Sequence, residues 1–129
     1  MIVIDTHIWV WWVDDNSLLT RKHREWLEEF QSQCIGVSIV SCWEIAKLVE
    51  KNRLNFSCSI REWLETALAY PGVRLLNLTL PIILDSTQLT GFHSDPFDQM
   101  IVATARIQGC PLLTADGKIL SYSGVETLK

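Results

Sequence analysis

The chain has 129 residues, of which 48% are hydrophobic and 20% are charged, and its formal net charge is −4 at pH 7. This length favours a single domain (residues 1–129) that buries roughly 68% of its unfolded surface. The sequence has no apolar run close to the ~20 residues of a membrane span and no signal-peptide pattern, so neither a membrane-spanning nor a secreted protein is indicated. Its net charge is not basic, which weighs against general nucleic-acid binding.

Short apolar strands alternate with helical segments along the sequence. Strands are predicted at residues 2–5, 35–38, 73–76 and 112–113, with a further short strand near Val125. Helices are predicted at residues 7–13, 20–33, 41–51, 59–68 and 79–89, and from Asp95 onwards. This alternation implies parallel pairing with right-handed crossovers, and therefore an α/β fold around a parallel sheet of four to five strands.

Four acidic residues stand where a predicted strand ends or a predicted helix begins: Asp5, Glu44, Asp98 and Asp116. Asp5 and Asp116 close apolar strands, whereas Glu44 and Asp98 fall in the first turn of their helices. Strand carboxyl ends and helix N-termini face the same edge of a parallel sheet, so the four carboxylates are expected to meet there. Such a group repels itself unless a cation lies within it, and hard oxygen ligands suit Mg²⁺ or Mn²⁺.

Each acid also has a purely structural interpretation. Asp5 can cap the helix that follows it, and Asp116, which precedes Gly117, can belong to a tight turn. Ser41-x-x-Glu44 has the pattern of a capping box, in which the glutamate bonds back to the cap amide. The repetition of the same placement four times favours the metal site.

The next helix start carries two aspartates with different expected roles. Asp95 precedes Pro96 and is interpreted mainly as an N-cap, with metal contact as the alternative. Asp98 shares a helix stripe with Ile101 and Val102, so its carboxylate is expected to point inward. An inward carboxylate is costly unless it is paired or bound to a metal.

Basic residues could guide a phosphate toward these acids, although ordinary solvated ion pairs are the favoured interpretation. The possible RNA-binding residues are Lys47 and Lys51 near Glu44, and Arg21, Lys22 and Arg24 in a basic run.

Other side chains have weaker signals. His7 and His93 flank acid positions, and a packing or hydrogen-bonding role is favoured over substrate contact for both. The tryptophans, with Trp9, Trp11 and Trp12 clustered, are expected in the core or a subunit interface, with base stacking as the alternative. The four cysteines form no CxxC pair and are interpreted as mostly buried, reduced thiols of a cytoplasmic protein, with a disulfide as the alternative.

Four segments resemble, in order and spacing, the PIN-domain family and specifically the VapC-type toxins of bacterial toxin–antitoxin pairs: MIVIDTHIWVWW, VSCWEIAKLVEKNRL, FHSDPFDQMIVATA and PLLTADGKIL. The resemblance covers nearly the whole chain. It implies a three-layer α/β/α sandwich, a single-strand endoribonuclease that uses one or two Mg²⁺ or Mn²⁺ ions, and a homodimer. It also implies a cognate antitoxin whose C-terminal segment lies along the cleft and places a basic side chain among the acids.

The family pattern can be carried over residue by residue for the four acids. Asp5 matches the acid of "DTH" and Glu44 that of "WEIA". Asp98 matches the second aspartate of "DPFD", and Asp116 matches the acid of "TAD". The resemblance therefore implies that these four residues are catalytic and bind the metal.

Supporting roles and two departures follow from the same comparison. Asp95 matches the first aspartate of "DPFD", Thr114 matches a common Ser/Thr before the last acid, and Thr6 lies within "DTH". Gln99 stands where arginine is usual, and Asn52 where glycine is usual. Neither departure removes a metal ligand, but Gln99 leaves one positive charge fewer near the cleft.

The acids and the resemblance together predict phosphodiester hydrolysis by metal-activated water, which leaves a 5′-phosphate and a 3′-hydroxyl. One alternative is a haloacid-dehalogenase-like phosphatase, but that chemistry expects an acid where His7 stands. The other alternative is a non-catalytic PIN-fold module that binds a protein through its tryptophan-rich segment.

Overall fold

The computed structural model describes every residue from Met1 to Lys129. Its strands are β1 (Ile2–Ile4), β2 (Ile35–Ser38), β3 (Val73–Leu76), β4 (Leu112–Leu113) and β5 (Thr127–Leu128). They form one sheet in the order β3-β2-β1-β4-β5, and every pairing is parallel. The predicted parallel sheet is confirmed, and its last strand lies two residues beyond the expected Val125.

Seven helices connect the strands: α1 (Thr6–Val13), α2 (Arg21–Gln31), α3 (Ile39–Glu50), α4 (Ile60–Leu68), α5 (Leu80–Ser86), α6 (Pro96–Gln108) and α7 (Gly117–Leu120). The predicted helices are present, although α5 ends at Ser86 rather than near Leu89. Helix α7 was not predicted, because a four-residue helix is too short to show a helical period.

The start of α3 corrects one prediction. Ser38, the last residue of β2, is the N-cap and accepts a hydrogen bond from the backbone N–H of Val40 at 3.1 Å. Ser41 therefore lies inside the helix, fully buried, and Glu44 lies in the second turn. The capping box between Ser41 and Glu44 is wrong, because β2 passes into α3 without an intervening loop.

An apolar core lies on each face of the sheet. Successive residues of a strand point to opposite faces, so Ile2 and Ile4 enter one core while Val3 enters the other. The first core is completed by residues from α1, α2 and α4, among them Trp9, Leu27 and Trp63. The second is completed by α6 and α7 residues, among them Ile101, Val102, Ala105 and Ile119. The result is the expected three-layer α/β/α sandwich.

Three local features of the structure bear on predictions for a tryptophan, a turn residue and the cysteines. Trp9 is completely buried and meets the Trp63 ring edge-on, with centroids 5.4 Å apart, as expected for a core tryptophan. Asn52 follows α3 with a φ of 56°, a left-handed conformation that glycine and asparagine accept most readily. Asparagine can therefore adopt the same turn conformation as the glycine that is usual at this position. All four cysteines are free, but the prediction of mostly buried thiols is wrong, since Cys58 is exposed and the other three are half-buried.

The order of the strands fixes where the chemistry lies. β1 occupies the centre of the sheet, between β2 and β4, so its carboxyl end adjoins the carboxyl ends of both neighbours. Asp5 and Thr114 follow β1 and β4 directly, and α3 begins at the end of β2. No helix in the structure is both long enough and apolar enough to cross a membrane.

Candidate active site

The predicted acids converge on one cavity of about 140 Å³ at the carboxyl edge of the sheet. No hydrophobic side chain lines this acid cavity, whose walls are Asp5, Thr6, His7, Glu44, Asp95, Asp98 and Asp116. The strand ends supply Asp5 and Asp116, α3 supplies Glu44, and the start of α6 supplies Asp95 and Asp98. Sequence positions up to 111 residues apart are thus brought together by the parallel topology.

Asp5 is both a helix cap and a wall of the acid cavity. As the N-cap of α1, it accepts a hydrogen bond at Oδ1 from the backbone N–H of Ile8 at 2.9 Å. Its Oδ2 accepts a hydrogen bond from the hydroxyl of Thr114. The residue is only 5% exposed, and this burial raises the pKa of its carboxyl even though both hydrogen bonds oppose the shift.

Thr114 joins the two strand-end acids. Its buried hydroxyl donates to Asp5 and accepts a hydrogen bond from the backbone N–H of Asp116 at 3.0 Å. Asp116 is itself the N-cap of α7, and its Oδ1 accepts from the N–H groups of Lys118 at 2.8 Å and Ile119 at 3.2 Å. The tight-turn interpretation of Asp116 is replaced by a short capped helix, and its Oδ2 takes no part in the cap.

Thr6 holds Glu44 in the cavity. The Thr6 hydroxyl donates a hydrogen bond to Oε1 of Glu44 at 2.6 Å and also contacts Oγ of Ser41 at 3.0 Å. Both threonine and serine are buried, so this link between α1 and α3 is shielded from water. Ser41 is thus a contact between two helices rather than the expected N-cap. No local sequence pattern signals such a contact.

Asp98 has a strongly perturbed ionisation. Its backbone N–H donates to Oδ1 of Asp95 at 3.1 Å, which confirms Asp95 as the N-cap of α6. Burial, which is the largest cause, and the neighbouring carboxylates of Asp95, Asp116, Glu44 and Asp5 together raise the pKa of the Asp98 carboxyl to about 7. Mutual repulsion among these groups is what a bound cation would relieve.

The structure places His93, for which packing or hydrogen bonding was expected, against Asp98. Its Nε2 lies 3.1 Å from Oδ2 of Asp98, but the ring N–H is not directed at that oxygen and makes no hydrogen bond. Gln99, at the position where arginine was expected, donates from Nε2 to the carbonyl oxygen of His93 at 3.0 Å. Sequence reasoning missed this contact because it depends on the path of the irregular segment before α6.

The cationic residues considered for RNA binding do not line the acid cavity. Most of them already have partners on the surface: Lys47 with Glu50 at 3.4 Å, Arg21 with Glu25 at 3.7 Å, Arg24 with Asp15 at 2.9 Å, and Lys22 over the Trp26 ring at 4.6 Å. Lys51 is exposed. Their contact with RNA stays a prediction, and the immediate walls of the cavity carry mainly negative charge.

The donor set fits a hard divalent cation, since the walls supply carboxylate and hydroxyl oxygens and no thiol. No three acidic, histidine or cysteine side chains stand in a ready-made metal-ligand arrangement. Like charges favour this separation, so the carboxylates would have to close around an ion to bind it.

Comparison with known proteins gives consistent results. A family model described as the PIN domain matches residues 2–125. The chain is 26% identical over 122 residues to Ribonuclease VapC22 of Mycobacterium tuberculosis, a match that covers 94% of this chain and 91% of that protein. A toxin–antitoxin complex from Klebsiella pneumoniae contains a chain with a TM-score of 0.69 and 18% identity, covering 100% of this chain and 97% of the other. VapBC2 from Rickettsia felis, bound to a DNA fragment from its promoter, gives a TM-score of 0.69 at 15% identity, with coverages of 99% and 98%. The two structural matches show a shared fold.

Proposed function

Because this chain belongs to the PIN-domain family, we propose that it is a metal-dependent single-strand endoribonuclease and the toxin of a toxin–antitoxin pair. The observation that carries this proposal is the acid cavity, in which five carboxylates from four separate segments meet at the carboxyl edge of the sheet. The relative named as a ribonuclease supports the reaction, and the structural relative described as a toxin–antitoxin complex supports the protein partner.

In this proposal Asp5, Asp98 and Asp116 hold one or two Mg²⁺ or Mn²⁺ ions, with Glu44 as a further ligand or as the residue that orients water. A bound ion of this kind lowers the pKa of its water toward neutrality and offsets charge on the phosphate. The protein contributes by positioning. Thr114 fixes the two strand-end acids relative to each other, and Thr6 fixes the glutamate.

The negative walls have a consequence for substrate binding. A phosphodiester is repelled by the carboxylates of the metal-free cavity, so RNA and metal are expected to bind cooperatively. Hydrolysis by water then leaves a 5′-phosphate and a 3′-hydroxyl. Products that end in a 2′,3′-cyclic phosphate would instead indicate attack by the ribose hydroxyl and would contradict the mechanism.

The partner is proposed to be a cognate antitoxin in the same cytoplasmic compartment, and the toxin, a single domain of residues 1–129, is proposed to form a homodimer. The C-terminal segment of the antitoxin would lie along the cleft and place a basic side chain among the acids. Such a side chain would compensate the same repulsion that a metal ion relieves. Antitoxin and metal are therefore expected to compete, and a complex that binds Mn²⁺ as well as the free toxin does would contradict this arrangement.

The decisive experiment incubates the partner-free protein with labelled structured and single-stranded RNA in the presence of Mg²⁺, Mn²⁺ or EDTA. It is repeated with Asp98→Asn and with the matched control Asp15→Asn. Asp15 is an exposed aspartate outside the cavity with a φ of 51°, a conformation that asparagine accepts. The control therefore makes the same chemical change outside the acid cavity, where the partner of the carboxylate is Arg24 at 2.9 Å.

Cleavage that needs metal, persists in Asp15→Asn and disappears in Asp98→Asn would support the nuclease and the role of Asp98. Cleavage that EDTA or Asp98→Asn leaves unchanged would indicate a contaminant. A folded protein that binds Mn²⁺ and cleaves nothing in a broad RNA pool would favour the protein-interaction module.

A further inference from the structure

A second cavity adjoins the acid cavity. It has a volume of about 190 Å³, and its walls are Asp5, His7, Trp11, Ala115 and Asp116. Three of these residues, Asp5, His7 and Asp116, also line the acid cavity. The two cavities are therefore adjacent, with these three residues in the walls of both, and we refer to the second as the His7–Trp11 cavity.

The walls of the His7–Trp11 cavity differ from those of the acid cavity. His7 and Trp11 lie one turn apart on the same face of α1, with ring centroids 6.1 Å apart and ring planes inclined by 54°. Ala115, with its small side chain, and the strand-end acids Asp5 and Asp116 form the rest of the wall. The cavity thus combines aromatic surface with carboxylates.

This composition suits a flat heteroaromatic group. The volume lies below the ~300 Å³ at which typical small-molecule pockets begin, so it fits one part of a larger substrate. Aromatic side chains bind nucleobases by stacking, whatever the base identity. Stacking is also the contact available here, since the cationic residues considered above lie outside both cavities.

We propose that the His7–Trp11 cavity binds one unpaired nucleobase of the RNA strand, next to the phosphodiester held in the acid cavity. The inference rests on the proposed nuclease function and adds a residue-level basis for its preference for single strands. A base inside a duplex has both faces covered by its neighbours, so only an unpaired base can enter the cavity and stack on Trp11.

The test uses the full-length, partner-free protein and a series of oligoribonucleotides, each lacking the base at one position around the cleavage site. For the wild-type protein, removal of one base beside the cleaved bond is expected to raise KM on the order of tenfold, with a smaller effect on kcat. Removal of bases farther away is expected to leave KM unchanged. This scan needs no protein variant and therefore does not depend on how a substitution affects folding.

Protein variants then test whether Trp11 is responsible for the rise in KM. Trp11→Leu should raise KM for intact RNA by a similar factor, and removal of the critical base should cost nothing further. Trp11→Tyr keeps an aromatic ring and should retain most of the wild-type pattern. Trp12→Leu is the matched control, because Trp12 is the next residue, lies against Tyr70 and lines a different cavity with Arg24 and Leu27.

Three results would overturn the inference. Metal-dependent cleavage with a flat base-removal scan would reject the base site while leaving the nuclease intact. Normal RNA kinetics in Trp11→Leu together with lost binding of a partner protein would show that the cavity takes a protein side chain. Absence of any metal-dependent cleavage by the wild-type protein would reject the proposed function and the base site with it.

Discussion

The two halves of the acid cavity are built differently. On the strand side, the carboxylates of Asp5 and Asp116 accept backbone hydrogen bonds, and the Thr114 hydroxyl links the Asp5 carboxylate to the backbone N–H of Asp116. On the α6 side, the Asp98 carboxylate accepts no hydrogen bond, and His93 approaches it without donating one. The strand half is therefore held in place by the fold, whereas the α6 half carries the unrelieved charge that a cation or a basic group would compensate.

This contrast separates effects on activity from effects on stability. Removing charge from the α6 half should abolish metal chemistry without weakening the fold. Removing a group from the strand half should weaken the fold as well as the chemistry.

The largest expected effect is the loss of cleavage in Asp98→Asn, on the order of a thousandfold, because metal-bound charge stabilisation is worth several kcal/mol. The same variant should be at least as stable as the wild type without metal, since it removes a carboxylate that four neighbours repel. Initial rates with Mn²⁺ and thermal unfolding in EDTA measure the two effects. A variant that is markedly less stable would contradict the division between the halves.

Asp5→Ala should lower the free energy of unfolding by about 2–3 kcal/mol, because it removes a helix N-cap and leaves the buried Thr114 hydroxyl without its acceptor. Urea unfolding in EDTA measures this loss. Asp5→Asn is the matched variant, since asparagine still caps a helix, and it should lose much less stability. Equal losses in the two variants would show that the cap does not hold the strand half.

Thr114→Val should reduce the free energy of unfolding by about 1–2 kcal/mol and the cleavage rate on the order of tenfold. Valine has nearly the same shape as threonine, but it can neither donate to Asp5 nor accept from the backbone of Asp116. Parallel measurement of urea unfolding and Mn²⁺-dependent cleavage gives both quantities. A normal rate in a destabilised variant would make Thr114 structural only.

The pH dependence of metal binding should report the α6 half. A cation binds the ionised form, and the pKa of Asp98 is raised to about 7, so Mn²⁺ affinity should rise about tenfold per pH unit below pH 7 and level off above it. Calorimetry in buffers of different ionisation enthalpy should detect the released proton at pH 6. Affinity that is flat between pH 5 and pH 7 would contradict the assignment of Asp98 as the responsive ligand.

The raised pKa of Asp98 affects the stability of the metal-free protein in the opposite direction, because stability then falls as pH rises. The folded protein retains a proton on Asp98 that the unfolded chain has lost, so between about pH 4 and pH 7 stability should fall as pH rises. Asp98→Asn should remove that part of the dependence. Thermal unfolding in EDTA across this range measures the slope, and an unchanged slope in the variant would assign it to another group.

Local chemistry accounts for what the sequence predicted well. Asp95 before Pro96 identifies a helix start, and the family resemblance singles out Thr114 before the last acid. Glu44 was predicted in the first helical turn but lies in the second, because Ser38 and Ser41 are both suitable N-caps. Tertiary contacts distinguish them, since burial of Ser41 beside α1 is invisible in the local pattern.

The His7–Trp11 cavity shows a different limit. Its two aromatic residues are predictable neighbours on one helix face, but their meeting with Ala115 depends on β4 lying beside β1. Strand order is set by how whole helices pack on the sheet, and no local sequence signal specifies it. The contact between His93 and Asp98 likewise depends on the path of the irregular chain before α6.

The direct passage of β2 into α3 at Ser38 makes the spacing to Glu44 intolerant of length changes. Each helical residue turns the chain by about 100°, so one inserted residue between Ser38 and Glu44 would rotate the carboxylate out of the cavity and away from Thr6. An insertion in the irregular segment at residues 52–59, after α3 ends, would leave that register untouched. Insertions and deletions in this part of the chain should therefore be compatible with cleavage only when they come after Lys51 in the sequence.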